Sequence, residues 1–158
     1  WDIAATEGGG DWTVGIKLAT LDGIIYVEDQ VRGQWGPGNV DAQMKATAEL
    51  DGKECAQREE REPGGSGKVV ITARAQLLAG FDYAEVLVGK NKVLRARPFR
   101  AQCETGNVRI VRGPWNDEYI KELERFPFGE NDDRVDATSA AYNSLVAEKP
   151  KGDGKATW

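Results

Sequence analysis

Three groups of acidic residues, far apart in the chain, could share divalent cations. Asp132 and Asp133 follow the turn Phe126-Pro127-Phe128-Gly129-Glu130-Asn131 and open a helical pattern, in which a third aspartate, Asp136, follows. Asp2 stands between Trp1 and Ile3 in a short apolar segment, and Glu59-Glu60-Arg61-Glu62 ends a polar stretch. Each group has a local account. Acids at a helix start cap it and meet its dipole, a strand aspartate can lie at an edge or be hydrogen-bonded, and a charge run can be a solvated face. Those accounts do not need the combination. An unpartnered carboxylate buried in a strand costs several kcal/mol. Oxygen ligands drawn from strand ends and a helix start suit Mg²⁺ or Mn²⁺. That is the chemistry of metal-assisted phosphodiester cleavage. Helical phase puts Asp132 in line with Val135, Asp136 and Ser139, near the inward stripe, and leaves Asp133 more exposed. Asp132 is therefore the expected primary ligand of the pair and Asp133 its helper.

What the chain lacks narrows the chemistry. With no histidine, it has no serine–histidine or cysteine–histidine triad and no His-ligated zinc. Hydrolysis must use carboxylates, a lysine or a metal-bound water. The net charge of −5 argues weakly against a nucleic-acid coat, but the charge is uneven. Lys90, Lys92, Arg95, Arg97, Arg100, Arg109 and Arg112 gather in one third of the chain. Lys90, Lys92, Arg95 and Arg97, with Lys68, are the expected contacts to a phosphate backbone. Their plain alternative is a solvated face. The loop Gly64-Gly65-Ser66-Gly67-Lys68 lacks the GxxxxGK[ST] spacing of an ATP site, though its glycines could bring backbone N–H groups to a DNA phosphate. Cys55 and Cys103 are isolated and expected to be free thiols. No apolar run approaches the roughly 20 residues of a membrane helix.

The elements that must position these residues follow from periodicity. Residues 1–6 read as the end of a strand. Residues 12–20 alternate, with Trp12, Val14, Ile16 and Leu18 on one face, and Asp22-Gly23 joins them to a strand over 24–35. Three antiparallel strands therefore open the chain. Asn39 is expected to cap a helix over 40–50 with the stripe Val40, Met44, Thr47 and Ala48. A polar strand over 53–61, a helix over 68–78 with Gly80 as C-cap and a strand over 83–88 come next. Residues 91–104 form a helix interrupted near Pro98, and 108–111 a short strand. A helix over 115–125 turns Tyr119, Ile120 and Leu123 inward, and the last helix covers 132–146. Trp12, Trp35 and Trp115 belong to the core or its rim. The 158 residues suit one α/β domain over 1–148, with a polar tail over 149–158. Its mixed sheet would be flanked by helices on both faces.

The chain resembles the C-terminal nuclease domain of the large terminase subunit of tailed bacteriophages, over most of its length. The matching pieces, in order, begin with Trp1-Asp2-Ile3-Ala4-Ala5-Thr6, Gly10-Asp11-Trp12-Thr13-Val14-Gly15 and Glu62-Pro63-Gly64-Gly65-Ser66-Gly67-Lys68. They continue with Lys92-Val93-Leu94-Arg95-Ala96-Arg97-Pro98, Gly106-Asn107-Val108, the stretch from Phe126-Pro127 through Asp136-Ala137, and Tyr142-Asn143-Ser144-Leu145. The resemblance implies an RNase H-like fold. It implies a two-metal endonuclease, using Mg²⁺ or Mn²⁺, that cuts concatemeric viral double-stranded DNA before and after head filling. The family's first-strand acid falls on Asp2 and its acid pair on Asp132 and Asp133. The middle acid falls within residues 59–62. Glu62, which immediately precedes the glycine loop, is the first choice and Glu60 the alternative, both on the same side of a strand. Where the family often has a histidine before the acid pair, this chain has Asn131.

The resemblance also implies the portal and the small terminase subunit as partners, the host bacterial cytoplasm as the place of action, and no membrane. The chain starts at Trp1 rather than Met and is expected to be a fragment without the upstream ATPase motor, so that it cuts DNA but does not translocate it. Two other functions fit the same residues: a resolvase- or transposase-like nuclease of the same fold, or a non-catalytic domain docking DNA or a portal-like partner.

Overall fold

A computed structural model of the chain describes residues 1–4, 10–61, 68–89, 91–147 and 156–157. Strands β1 (Thr13–Leu21) and β2 (Ile24–Gly33) pair antiparallel around Asp22-Gly23. Both turn residues have positive φ, 50° and 77°, the backbone that matches the twist of a two-residue hairpin. Alternation buries Val14, Ile16 and Leu18 on one face of β1. Gly15 points to the other face, where the Trp1 indole covers it so closely that a Cβ would lie 2.7 Å from the ring.

Helix α1 (Pro37–Asp51) buries the expected stripe Val40, Met44, Thr47 and Ala48. It starts three residues early. Gly36 is the N-cap, without a side-chain cap bond, and Asn39 lies inside the helix. Pro37 decides this, because a proline at the first helical position has its φ preset and needs no acceptor for an N–H. The polar strand β3 (Cys55–Arg61) runs parallel to β4 (Tyr83–Leu87), and α2 (Lys68–Leu77) connects them.

Helix α3 (Lys92–Glu104) is capped by Asn91, whose side chain accepts the Leu94 N–H at 3.0 Å. It runs through Pro98 without the expected interruption. The carbonyl that Pro98 leaves without its usual donor is that of Leu94, an exposed residue that water can reach. Strand β5 (Val108–Ile110) pairs parallel with β2. Helix α4 (Asn116–Arg125) buries Tyr119, but Ile120 faces outward at 39% exposure. The inward stripe instead takes Glu122, because Arg134 of α5 (Asp133–Ala147) pairs with it at 2.7 Å.

With β6 (Ala156–Thr157), the strand order is β4-β3-β6-β1-β2-β5. Trp1 and Asp2 lie in the same lane as β6, between β1 and β3. Asp2 exchanges both backbone hydrogen bonds with Val14 at 2.8 Å, and the Trp1 carbonyl accepts the Glu60 N–H at 2.9 Å. The Trp1 ammonium donates to the Arg58 carbonyl at 2.6 Å. Asp2 thus emerges at the centre of the sheet. Each face carries its own core. Val14, Ile16 and Leu18 pack with Phe99, Tyr119, Ala137 and Ala141. Trp1 packs with Val40, Met44, Ala48, Cys55 and Leu78. No described helix is long and apolar enough to cross a membrane.

Candidate metal centre

Strand parity sorts the acids of β3. Glu59 points to the face of α1 and α2, where its carboxylate accepts from the Arg74 guanidinium and from the Tyr83 hydroxyl at 2.7 Å. Arg74 is held in turn by Asp41 at 2.6 Å. This is a closed, satisfied network. Glu60 points to the opposite face, toward α3 and α5, as does Asp2, opposite Val14.

There α5 completes the cluster. Its small residues Ala137, Ala140 and Ala141 are buried and let the helix lie close over β1. The buried Glu122–Arg134 pair and an Arg134–Gln30 hydrogen bond of 2.7 Å fix its start against α4 and β2. The first turn of α5 then delivers Asp136, whose side chain is only 6% exposed.

Burial and neighbouring charge both act on these acids. Asp2 is pushed up to about 8, first by burial and then by the charges of Glu60, Asp136 and Asp133. Glu60 is pushed up to about 7, chiefly by burial, against the pull of Arg95. Its Oε1 is buried and has no hydrogen-bond partner among the described residues. Burial also raises Asp133, although that carboxylate accepts the backbone N–H of Trp12. Two cations of α3 enter the cluster. Lys92 Nζ lies 2.8 Å from Asp132 Oδ1 and 2.9 Å from Asp136 Oδ2. The Arg95 guanidinium pairs with Asp136, lies 3.8 Å from Glu60 Oε2 and donates to the Gly89 carbonyl at 2.6 Å. Partial burial pulls Lys92 down, but its bonds to the two aspartates outweigh it and raise its pKa.

The structure thus gathers Asp2, Glu60 and Asp136, with Asp132 and Asp133 beside them. Glu62 and Lys90, and the side chain of Lys68, lie outside the described residues. The order of burial within the aspartate pair is the reverse of the sequence expectation. Asp133 is buried and Asp132 is 38% exposed. The helix begins at Asp133, so Asp132 precedes it and does not follow its phase. Asp136, three residues after Asp133, takes the inward position. The basic residues also part company. Lys92 and Arg95 turn to the carboxylates, while Arg97 lines a separate groove with Phe99, Phe126 and Thr138.

The donor set suits a hard divalent ion: several carboxylates from different elements, mutual repulsion that a cation would relieve, and a buried Glu60 oxygen without a partner among the described residues. Among the described residues, no three acids stand close enough as they are to hold one ion; Lys92 joins Asp132 to Asp136, and Arg95 joins Asp136 to Glu60.

A mixed sheet flanked by helices, with acids converging from its central lane, the end of a neighbouring strand and the last helix, defines an α/β domain with an acidic centre. The chain belongs to the terminase RNaseH-like domain family, which it matches over residues 1–145. Its fold is accordingly RNase H-like, that of a terminase domain. No curated protein matches the chain significantly.

Proposed function

We propose that this domain is the metal-dependent DNA endonuclease of a viral genome-packaging terminase, cutting concatemeric double-stranded DNA in the host bacterial cytoplasm. The observation that carries this is the meeting of Asp2, Glu60 and Asp136 on one face of the sheet, with the buried Glu60 Oε1, which has no partner among the described residues. Asp2, Glu60 and Asp136 would hold Mg²⁺ or Mn²⁺, two ions in all, assisted by Asp132 and Asp133, with Glu62 as a further candidate ligand. The chemistry such ions supply is a lowered pKa for the attacking water and neutralisation of the leaving 3′ oxygen. The chain itself holds the carboxylates at fixed positions. Asp2 is held by two backbone bonds to Val14 on one side, its neighbour Trp1 is bonded to β3 on the other, and Asp136 rides on a helix anchored at Arg134. Lys68, Lys90 and Arg97 would meet the phosphate backbone, so binding would be largely independent of sequence and sensitive to salt. The portal and the small terminase subunit would be its partners in the packaging assembly.

Supercoiled plasmid incubated with Mn²⁺, Mg²⁺ or EDTA tests this. Cutting is expected only with metal, and Asp2→Ala and Asp136→Ala should each abolish it, with Asp132→Ala weaker in effect. Metal-independent cutting, or full activity in both Asp2→Ala and Asp136→Ala, would refute the proposal. Junction-selective cutting or strand joining would favour a resolvase- or transposase-like enzyme, and DNA binding without cutting a docking domain.

A further inference from the structure

Lys92 and Arg95 enter the acidic centre from one face of α3 but are held differently. Arg95 is fixed: its side chain is 14% exposed, its guanidinium donates to the Gly89 carbonyl, pairs with Asp136 and faces Glu60, and Asn143 donates to its backbone carbonyl at 3.2 Å. Lys92 bridges Asp132 and Asp136 at 2.8 and 2.9 Å, yet 47% of its side chain is exposed. Its ammonium sits at the end of a flexible four-carbon stem. A half-exposed ion pair is weak and can be exchanged, whereas a guanidinium packed among buried acids is not readily released.

We propose that Lys92 is a built-in, displaceable counter-cation. It neutralises Asp132 and Asp136 while no metal is bound and yields them when a divalent ion enters, so that it sets how tightly the site takes metal. Arg95 stays in place and positions Asp136 and Glu60 in both states. This rests on the nuclease proposal above, because it assumes that Asp136 is a ligand. The exchange is electrostatic and breaks no covalent bond.

The test is direct Mn²⁺ binding, by electron paramagnetic resonance and calorimetry, to the whole chain at low salt. The variants are Lys92→Met, which keeps the apolar stem, Lys92→Gln as a second neutral replacement, and Lys92→Arg, which keeps the charge. Both neutral variants are expected to bind Mn²⁺ about three- to tenfold more tightly than the parent, from the loss of the two ion pairs that the half-exposed Lys92 makes in competition with the metal. The gain should shrink in high salt, and Lys92→Arg should stay near the parent. Unchanged or weaker Mn²⁺ binding in both neutral variants would overturn the proposal and leave Lys92 an ordinary surface pair, with the nuclease proposal intact. Failure of every protein, the parent included, to bind Mn²⁺ would overturn both.

Discussion

In metal-free buffer at pH 8, Asp2→Asn is expected to make the protein more stable. Asp2 has its carboxyl pushed from 3.8 to about 8, by burial first and then by the charges of Glu60, Asp136 and Asp133. An acid whose pKa is raised by folding binds more protons folded than unfolded, so stability falls as pH rises across the interval between the two values. For Asp2 that interval runs from 3.8 to about 8. About four pH units at about 1.4 kcal/mol each set a ceiling of between 5 and 6 kcal/mol at its upper end. Side-chain relaxation and water bring the effective dielectric well above that of a dry interior. A realistic penalty is about 1–3 kcal/mol, within the usual span of a single substitution. For a chain of this length each kcal/mol moves Tm by about 2–4 °C. Replacing the carboxylate by an amide of the same shape should therefore raise Tm by about 3–10 °C at pH 8 in EDTA, and by about a third of that at pH 5. Millimolar Mg²⁺ should reverse the order, stabilising the parent through ligand linkage and leaving the variant where it was. Thermal melts followed by circular dichroism, at pH 5 and pH 8 with EDTA or Mg²⁺, give all four comparisons. An Asp2→Asn protein no more stable than the parent at pH 8, or with the same gap at pH 5, would refute the claim that the folded protein penalises a charged carboxylate here, by burial first and by its acidic neighbours second.

Two further outcomes follow from the geometry. Glu59 and Glu60 are neighbours in sequence but face opposite ways, so their glutamine variants should fail differently. Glu59→Gln breaks a buried pair with Arg74 and is expected to cost about 3 kcal/mol in urea melts while metal-dependent cutting survives. Glu60→Gln should abolish cutting at little or no cost in stability, and the opposite pattern would exchange their roles. Gly15→Ala places a methyl group 2.7 Å from the Trp1 ring. The indole must shift out of a packed core, at about 1–3 kcal/mol, and because Trp1 adjoins Asp2 the plasmid assay should also show reduced cutting. A variant with parent stability would show that the indole is not held there.

Much of the fold was legible because it rests on local signals. Alternation in β1, the Asp22-Gly23 turn and the stripe of α1 are each encoded within a few residues. The misplacements are also local, and each traces to a competing device. Pro37 started α1 ahead of Asn39, and a buried ion pair with Arg134 drew Glu122 inward at the expense of Ile120. The polar strand β3 could be placed by its position between two helices, but not explained. Its buried polar groups are satisfied by partners such as Trp1, whose indole donates to Gln57 at 2.8 Å, and Arg74, which pairs with Glu59.

The acidic centre was harder to read, for a different reason. Which acid of a run turns inward depends on where an element begins and on what lies across from it. The phase argument for Asp132 assumed a helix that already includes it; once the helix starts at Asp133, the same 3.6-residue period selects Asp136. Asp136 carried a signal, since an aspartate one turn into an inward-facing helix invites a partner, but it was overshadowed by the adjacent pair. The cations had none. A basic run in an acidic protein reads as a nucleic-acid contact, and nothing in residues 91–104 says that α3 will pack against α5 with Lys92 and Arg95, one turn apart, facing carboxylates some 40 positions away. Charge in such a centre is a property of the packed site: carboxylates brought together by three elements, which neither DNA binding nor helix capping requires, and two cations beside them, one fixed at Arg95 and one, Lys92, on an exposed stem.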